Sequence, residues 1–273
     1  MIDIQNVTFS YKGNQPLVFD EFSLCLEQNR IYGLLGENGT GKSTLLYLMM
    51  GLLRPVRGRV MVDGIETISR SRELLQNMYI VPEEFKLPDM LFADYVKTYR
   101  PFYPQFSDEL LRYCLSEFHL QPDMHIGRLS MGDKKKILMS FALATNARYL
   151  LMDEPTNGLD LLSKKQFRKV VVTSMSEERM ILIATHQLHD VEQLLDHVLI
   201  LRCNEILLNQ SVTSISEQYT FDVRPDEYLD DAVLYTERSV QGNHVICRRQ
   251  THDEETSLNL ELLYNAVMNE KLK

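Results

Sequence analysis

The chain is predicted to adopt an α/β fold with a mainly parallel sheet, and three observations carry that prediction. Ile31–Leu35, Tyr149–Met152, Met180–Ala184 and Val198–Leu201 are short, continuous apolar runs, the pattern of strands buried on both faces. Longer amphipathic stretches such as Leu161–Met175 alternate with them, as βα units require. A glycine-rich loop joins the first of these strands to a helical stretch, Leu45–Met50.

The remaining elements follow in order. Val7–Phe9 and Phe22–Leu26, separated by Lys12-Gly13-Asn14, read as strands of an N-terminal antiparallel β subdomain, and Gly58–Gly64 as a hairpin piece closed by an Asp-Gly turn. From about Glu84 to Thr145 helical patterns dominate, which predicts a helical insertion between two strands of the sheet. Residues 219–273 hold eleven acidic and six basic side chains, three short strand candidates and a helix with Leu260, Leu263, Tyr264 and Val267 on one face. This predicts a main unit, 1–218, followed by a small C-terminal α+β extension, 219–273.

Composition narrows the function classes. The 273 residues are 44% hydrophobic and 25% charged, enough to bury a sizeable core. A net charge of −9 argues against broad nucleic-acid binding, so no nucleic-acid partner is expected. The four cysteines are far apart and form no C-x-x-C pair, which points to a reducing cytoplasm rather than a zinc site or disulfide framework. Met1–Gln5 shows no basic region followed by an apolar stretch, so no secretory signal is expected. No uncharged run approaches the ~20 residues of a membrane span.

The chemistry is carried by the strand ends. Gly36 to Thr44 fits the phosphate-loop pattern G-x-x-x-x-G-K-[ST], with strand before and helix after it. Gly36, Gly39 and Gly41 permit the tight turn that aims backbone N–H groups, Asn38's among them, at one anion. Lys42 brings a positive charge to the outer phosphates, the Ser43 hydroxyl can complete the shell of Mg²⁺, and Thr44 opens the helix whose dipole faces the anion. These features define a P-loop NTPase core. Asp153 and Glu154 follow an apolar strand: one carboxylate can hold Mg²⁺ through water, and the other can polarise an attacking water. His186 ends a further strand, at the edge where ligands collect in open α/β sheets.

The order of these motifs resembles the ATP-binding subunit of an ABC transporter over about residues 1–215. The matching segments are Gly36–Thr44, Leu129-Ser130-Met131-Gly132-Asp133, Asp153-Glu154-Pro155, Gly158-Leu159-Asp160 and Thr185-His186. The resemblance implies ATP and Mg²⁺ as cofactors and a set of roles. Tyr11 would stack on adenine, Asp153 support Mg²⁺, Glu154 act as general base and His186 contact the γ-phosphate. Ser130 and Gly132 would touch ATP bound by a second ATP-binding subunit, identical or not, with Asp160 linking the two sites. It further implies a separately encoded polytopic membrane permease, a location on the inner face of the cell membrane, and export as the direction. The alternative is a soluble ABC-type ATPase acting on DNA, ribosomes or cluster assembly. Against it, the chain has neither the coiled-coil or zinc insert of DNA-acting relatives nor a second phosphate loop.

Four features depart from the family pattern or stand apart from it. Met131 and Asp133 replace the third and fifth residues of the usual Leu-Ser-Gly-Gly-Gln signature. The following run, Lys134 to Lys136, either offsets Asp133 or forms a solvated helix face. Glu83 stands where the family usually has a Mg²⁺-directed glutamine, and a carboxylate suits that metal. Phe85–Phe106 holds seven aromatics in 22 residues, read either as the core of the insertion or as a groove for a permease helix, with Phe92 and Tyr99 as test positions.

Overall fold

The structure is a computed structural model that describes residues 1–11, 16–225, 232–240, 242–250 and 256–272. At the N-terminus β1 (Ile2–Phe9) pairs antiparallel with β2 (Phe19–Leu26) on one side. After β3 (Arg30–Leu35) and α1 (Lys42–Met49), β4 (Arg57–Val62) pairs antiparallel with its other side, and β5 (Ile65–Glu66) completes a four-stranded sheet, order β2-β1-β4-β5. Asp63 and Gly64, both at positive φ, form the expected turn. The expected turn at Lys12-Gly13-Asn14 lies outside the described residues.

The central sheet has six strands in the order β10-β9-β3-β8-β7-β6. After α2 (Arg72–Gln76) come β6 (Met78–Val81), β7 (Tyr149–Asp153), β8 (Met180–Thr185), β9 (His197–Arg202) and β10 (Glu205–Ser211). All neighbours are parallel except β9 and β10. The apolar runs explain the burial. Ile31, Leu35, Leu150, Met152, Ile181 and Ile183 face one core, and Tyr32, Leu34, Tyr149, Leu151 and Leu182 face the other. Each buried side chain contributes roughly 1.5–3 kcal/mol. The second core is closed by α1 and the N-terminal sheet.

The first core is closed by the helices. Between β6 and β7 lie α3 (Phe92–Tyr99), α4 (Asp108–Glu117) and α5 (Met131–Ala144), which is the expected helical insertion. Next comes α6 (Leu161–Thr173), and α7 (Leu188–Val191) follows β8. The caps are readable from sequence: Ser107, Ser130 and Asp160 each accept the N–H three residues on, at α4, α5 and α6.

After α8 (Val212–Gln218), the tail adds β11 (Tyr219–Arg224), β12 (Val233–Ser239) and β13 (Gly242–Arg248) as an antiparallel sheet in the order β11-β13-β12, then α9 (Leu260–Met268). Its side chains Phe221, Ile246, Leu260 and Leu263 join the same core as Phe141 and Phe167.

The aromatic-rich segment divides. Phe92 is 1% exposed and Tyr95 is buried, and Tyr95 packs edge-on against Phe141 at 5.2 Å. Phe102, in a turn just after Pro101, is 62% exposed. Phe92 is therefore a core residue, which corrects its choice as a groove position. Helical phase accounts for this: Phe92, Tyr95 and Val96 fall on the inward face of α3, and Tyr99, at its end, is only partly covered.

Candidate active site

Four adjacent parallel strands end side by side, and their register puts the sequence motifs at one level. Leu35 of β3 pairs with Thr185 of β8, Ala184 with Asp153 of β7, and Met152 with Val81 of β6. The residues that follow, the phosphate loop, His186, Glu154 and Glu83, therefore surround one cleft of about 580 Å³. This is the carboxyl edge of the sheet, where crevices form in open α/β folds.

The phosphate loop is shaped by packing. A Cβ on Gly36 would lie 2.5 Å from the Leu201 carbonyl, so the loop leaves the strand along the neighbouring backbone. Gly41 at φ 103° opens α1 without a side-chain cap, leaving the first N–H groups directed at the cleft. Lys42 is buried and its Nζ donates to the carbonyls of Gly36 (2.7 Å) and Glu37 (2.9 Å). Burial pulls the Lys42 ammonium below its ordinary value, opposed by Glu154, Asp153, Glu83 and Glu37. Asn38, Gly39, Ser43 and Thr44 line the same wall.

The two carboxylates are held differently. Asp153 is pushed up by burial, countered by a hydrogen bond from Ser43, and its Oδ1 is buried without a protein partner. Glu154 sits in the left-handed region at φ 45°, with both oxygens engaged. Oε2 accepts from Thr185 Oγ1 at 2.8 Å, while Oε1 accepts the His186 backbone N–H at 3.0 Å and lies 2.6 Å from His186 Nδ1. The Glu154 carboxylate and the His186 imidazole thus stand in direct contact at the wall of the cleft.

Tyr11 stands at the cleft mouth, sharing a 2.8 Å hydrogen bond with Thr44 Oγ1 and packing edge-on against Phe9. Glu83 accepts from Asn157 Nδ2 at 3.1 Å. By contrast, Ser130, Gly132 and Asp160 lie outside the cleft of their own chain. Ser130 Oγ donates to Asp133 Oδ2 at 2.8 Å while capping α5, and Met131 beside it is 63% exposed. Among the described residues, no group of three or more His, Cys, Asp and Glu is arranged to hold a metal ion.

Three residues of this neighbourhood escaped sequence reasoning: Thr185 as a ligand of Glu154, Asn157 as a partner of Glu83, and Lys135. The lysine run is not one solvated face. Lys136 pairs with Asp133 at 3.2 Å, whereas Lys135 is 6% exposed and reaches the backbone behind Glu154. Helical phase carried that signal, because Lys135 shares its face with Leu138, Met139 and Ala142, all buried.

A phosphate loop, paired strand-end carboxylates and a mixed α/β sheet define a P-loop NTPase. The family model described as "ABC transporter" matches residues 19–157. The ATP-binding protein YtrB of Bacillus subtilis is 28% identical, over 80% of this chain and 75% of its own length. The SkfA peptide export ATP-binding protein SkfE, also of B. subtilis, is 25% identical, over 80% of this chain and 92% of its own. A solved ATP-binding subunit of an ABC transporter superposes with a TM-score of 0.70 at 21% identity, covering 79% of this chain and 91% of that one. The chain belongs to the ABC transporter family and carries its ATP-binding domain, a family assignment that implies ATPase activity. No described helix is long and apolar enough to cross a membrane.

Proposed function

We propose that this chain binds and hydrolyses ATP as one of two ATP-binding subunits that power a separately encoded membrane permease, in the export direction. The observation that carries the reading is the convergence of Lys42, Asp153, Glu154 and His186 from neighbouring strand ends onto one cleft. In this reading Lys42 leaves the loop carbonyls to meet the outer phosphates. Tyr11 stacks on the adenine, and Asn38, Gly39 and Gly41 turn N–H groups to the phosphates. Glu154 accepts a proton from the attacking water, and His186 contacts the γ-phosphate while orienting that carboxylate. Ser43, Asp153 and Glu83 would hold Mg²⁺, which would neutralise phosphate charge; the orphaned Asp153 Oδ1 fits that role. Ser130, Gly132 and Asp160 serve the nucleotide of the second subunit.

A further groove supports the permease reading. About 760 Å³ in volume, it is lined by Met50, Leu52, Tyr79, Ile80, Phe102 and Tyr103. Leu52 and Phe102 are large apolar residues left exposed, as a helix-in-groove contact needs. Tyr79 and Ile80 belong to β6, the strand that leads to Glu83, so the groove and the cleft share one element. The export direction rests on the family analogy of the single ATPase domain, Glu83 and the divergent signature, since relatives of both directions match. Residues 219–273 are an accessory unit that braces the ATPase core. The test is a purified-protein ATPase assay on wild type and Glu154→Gln, together with recovery of bound partners from membranes. Activity lost in Glu154→Gln and co-purification with a polytopic membrane protein support the reading. Recovery only with ribosomes or DNA overturns it.

A further inference from the structure

Lys135 is a buried ammonium with no carboxylate in direct contact among the described residues. Its Nζ donates to the Glu154 carbonyl at 2.8 Å and to the Asn157 carbonyl at 2.9 Å. Burial of a charge on this scale is unfavourable, and an apolar residue would fill the space without that cost. Burial lowers the proton affinity of the Lys135 ammonium, and Glu83, Glu154 and Asp153, the three acids lining the cleft, oppose that. Lys135 thus meets the hydrolytic site from behind, through the backbone.

The two carbonyls it takes are specific. Glu154 and Asn157 are the ends of one turn, closed by the Asn157 N–H donating to the Glu154 carbonyl at 3.2 Å. Glu154 sits at φ 45°, in the left-handed region that a non-glycine residue adopts at a cost in energy. The Asn157 side chain, on the same turn, reaches Glu83. On its other side Lys135 belongs to the first turns of α5, where the Lys134 N–H bonds the Ser130 carbonyl. One side chain therefore ties the Ser130–Gly132 turn to the backbone that aims Glu154.

We propose that Lys135 is a positioning residue for hydrolysis: it clamps the Glu154–Asn157 turn to the start of α5, so that docking of the Ser130 turn onto a second subunit's ATP aligns Glu154 in its own cleft. The proposal rests on the ATPase reading given above.

The test is steady-state and single-turnover ATP hydrolysis by wild type, Glu154→Gln, Lys135→Met, Lys135→Gln and the double variant Lys135→Met/Glu154→Gln, with ATP affinity and melting temperature measured alongside. Lys135→Met is expected to lower kcat by about tenfold or more, with KM for ATP within about threefold. Because Lys135 acts through Glu154, the double variant should be no slower than Glu154→Gln alone. A wild-type rate in Lys135→Met, or a loss that adds in full to that of Glu154→Gln, overturns the proposal. So does failure of both Lys135→Met and Lys135→Gln to fold, which would make the lysine a structural brace only. If wild type itself does not hydrolyse ATP, the functional reading fails instead, and the two outcomes are separable.

Discussion

The cleft at the carboxyl edge of the central sheet and the turn at the start of α5 both carry residues expected to touch ATP, yet they are built in opposite ways. In the cleft, Lys42, Asp153 and Glu154 are buried, and Lys42 and Glu154 are held by named partners. At the turn, Ser130 is occupied with capping a helix and Met131 stands in solvent. The glycines make the same contrast. Gly36 has the Leu201 carbonyl 2.5 Å from where a Cβ would be, whereas at Gly132 the nearest atom is the Gly158 carbonyl at 3.8 Å. Gly36 is demanded by its own chain; nothing in its own chain demands Gly132. Gly132 therefore has room for a Cβ in its own chain, and its small size leaves that turn open to approach from outside. The two places thus differ in how far their own chain holds them, and in the proposed function the second is where another subunit's ATP docks.

Substitutions can break this contrast, and the largest effect belongs to the paired glycines. Gly36→Ala should abolish ATP binding, measured with a fluorescent nucleotide, and lower the melting temperature. Gly132→Ala should keep binding and melting temperature but reduce ATPase by about 100-fold, a barrier rise of ~2.7 kcal/mol. Equal loss of binding in both would erase the distinction. Next comes the aromatic segment. Phe92→Ala should destabilise by about 3–5 kcal/mol in chemical denaturation, as a core truncation does. Phe102→Ala should leave stability and basal ATPase intact and uncouple transport in reconstituted vesicles; loss of basal ATPase would place Phe102 outside a coupling role.

Smaller effects sharpen the cleft itself. Glu83→Gln should keep ATPase within about tenfold, ~1.4 kcal/mol, because an amide oxygen still offers a ligand. Asp153→Asn should stabilise the nucleotide-free protein while removing activity, with a rise of a few degrees at roughly 2–4 °C per kcal/mol. Burial raises the folded-state value of Asp153 above its unfolded one, so the wild type bears the full cost of the charge above the folded value. The gap between the two proteins should narrow as pH falls through the raised folded-state value and be closed below about 3.9, the ordinary aspartate value. A gap that widens in acid would show that Asp153 is not penalised by burial.

Much of this architecture was legible because apolar runs and strand-end polar residues come from the same physics. A strand buried on both faces must be apolar throughout, and whatever follows it emerges at the sheet edge. Hence Asp153, Glu154 and His186 could be placed from their neighbours alone. Lys135 was obscured by its flanking lysines, since composition suggests solvent and only helical phase turns it inward. Asn157 and Thr185 gave no such placement, because the contact of Asn157 with Glu83 depends on how β6 and β7 pair and that of Thr185 with Glu154 on how β7 and β8 pair. The division between Phe92 and Phe102 was hidden in the turn at Pro101, which sets Phe102 outside the regular phase of α3.

The central claim, that a site complete in its own chain for binding is completed by a second chain for hydrolysis, is tested most directly on Glu154→Gln. Its mass is measured by light scattering with and without saturating ATP and Mg²⁺. For a pair of identical subunits the expected result is the single-chain mass of 31.8 kDa without nucleotide and twice that mass with ATP, reverting when ATP is withdrawn. ATP bound at saturation with the mass unchanged would contradict it.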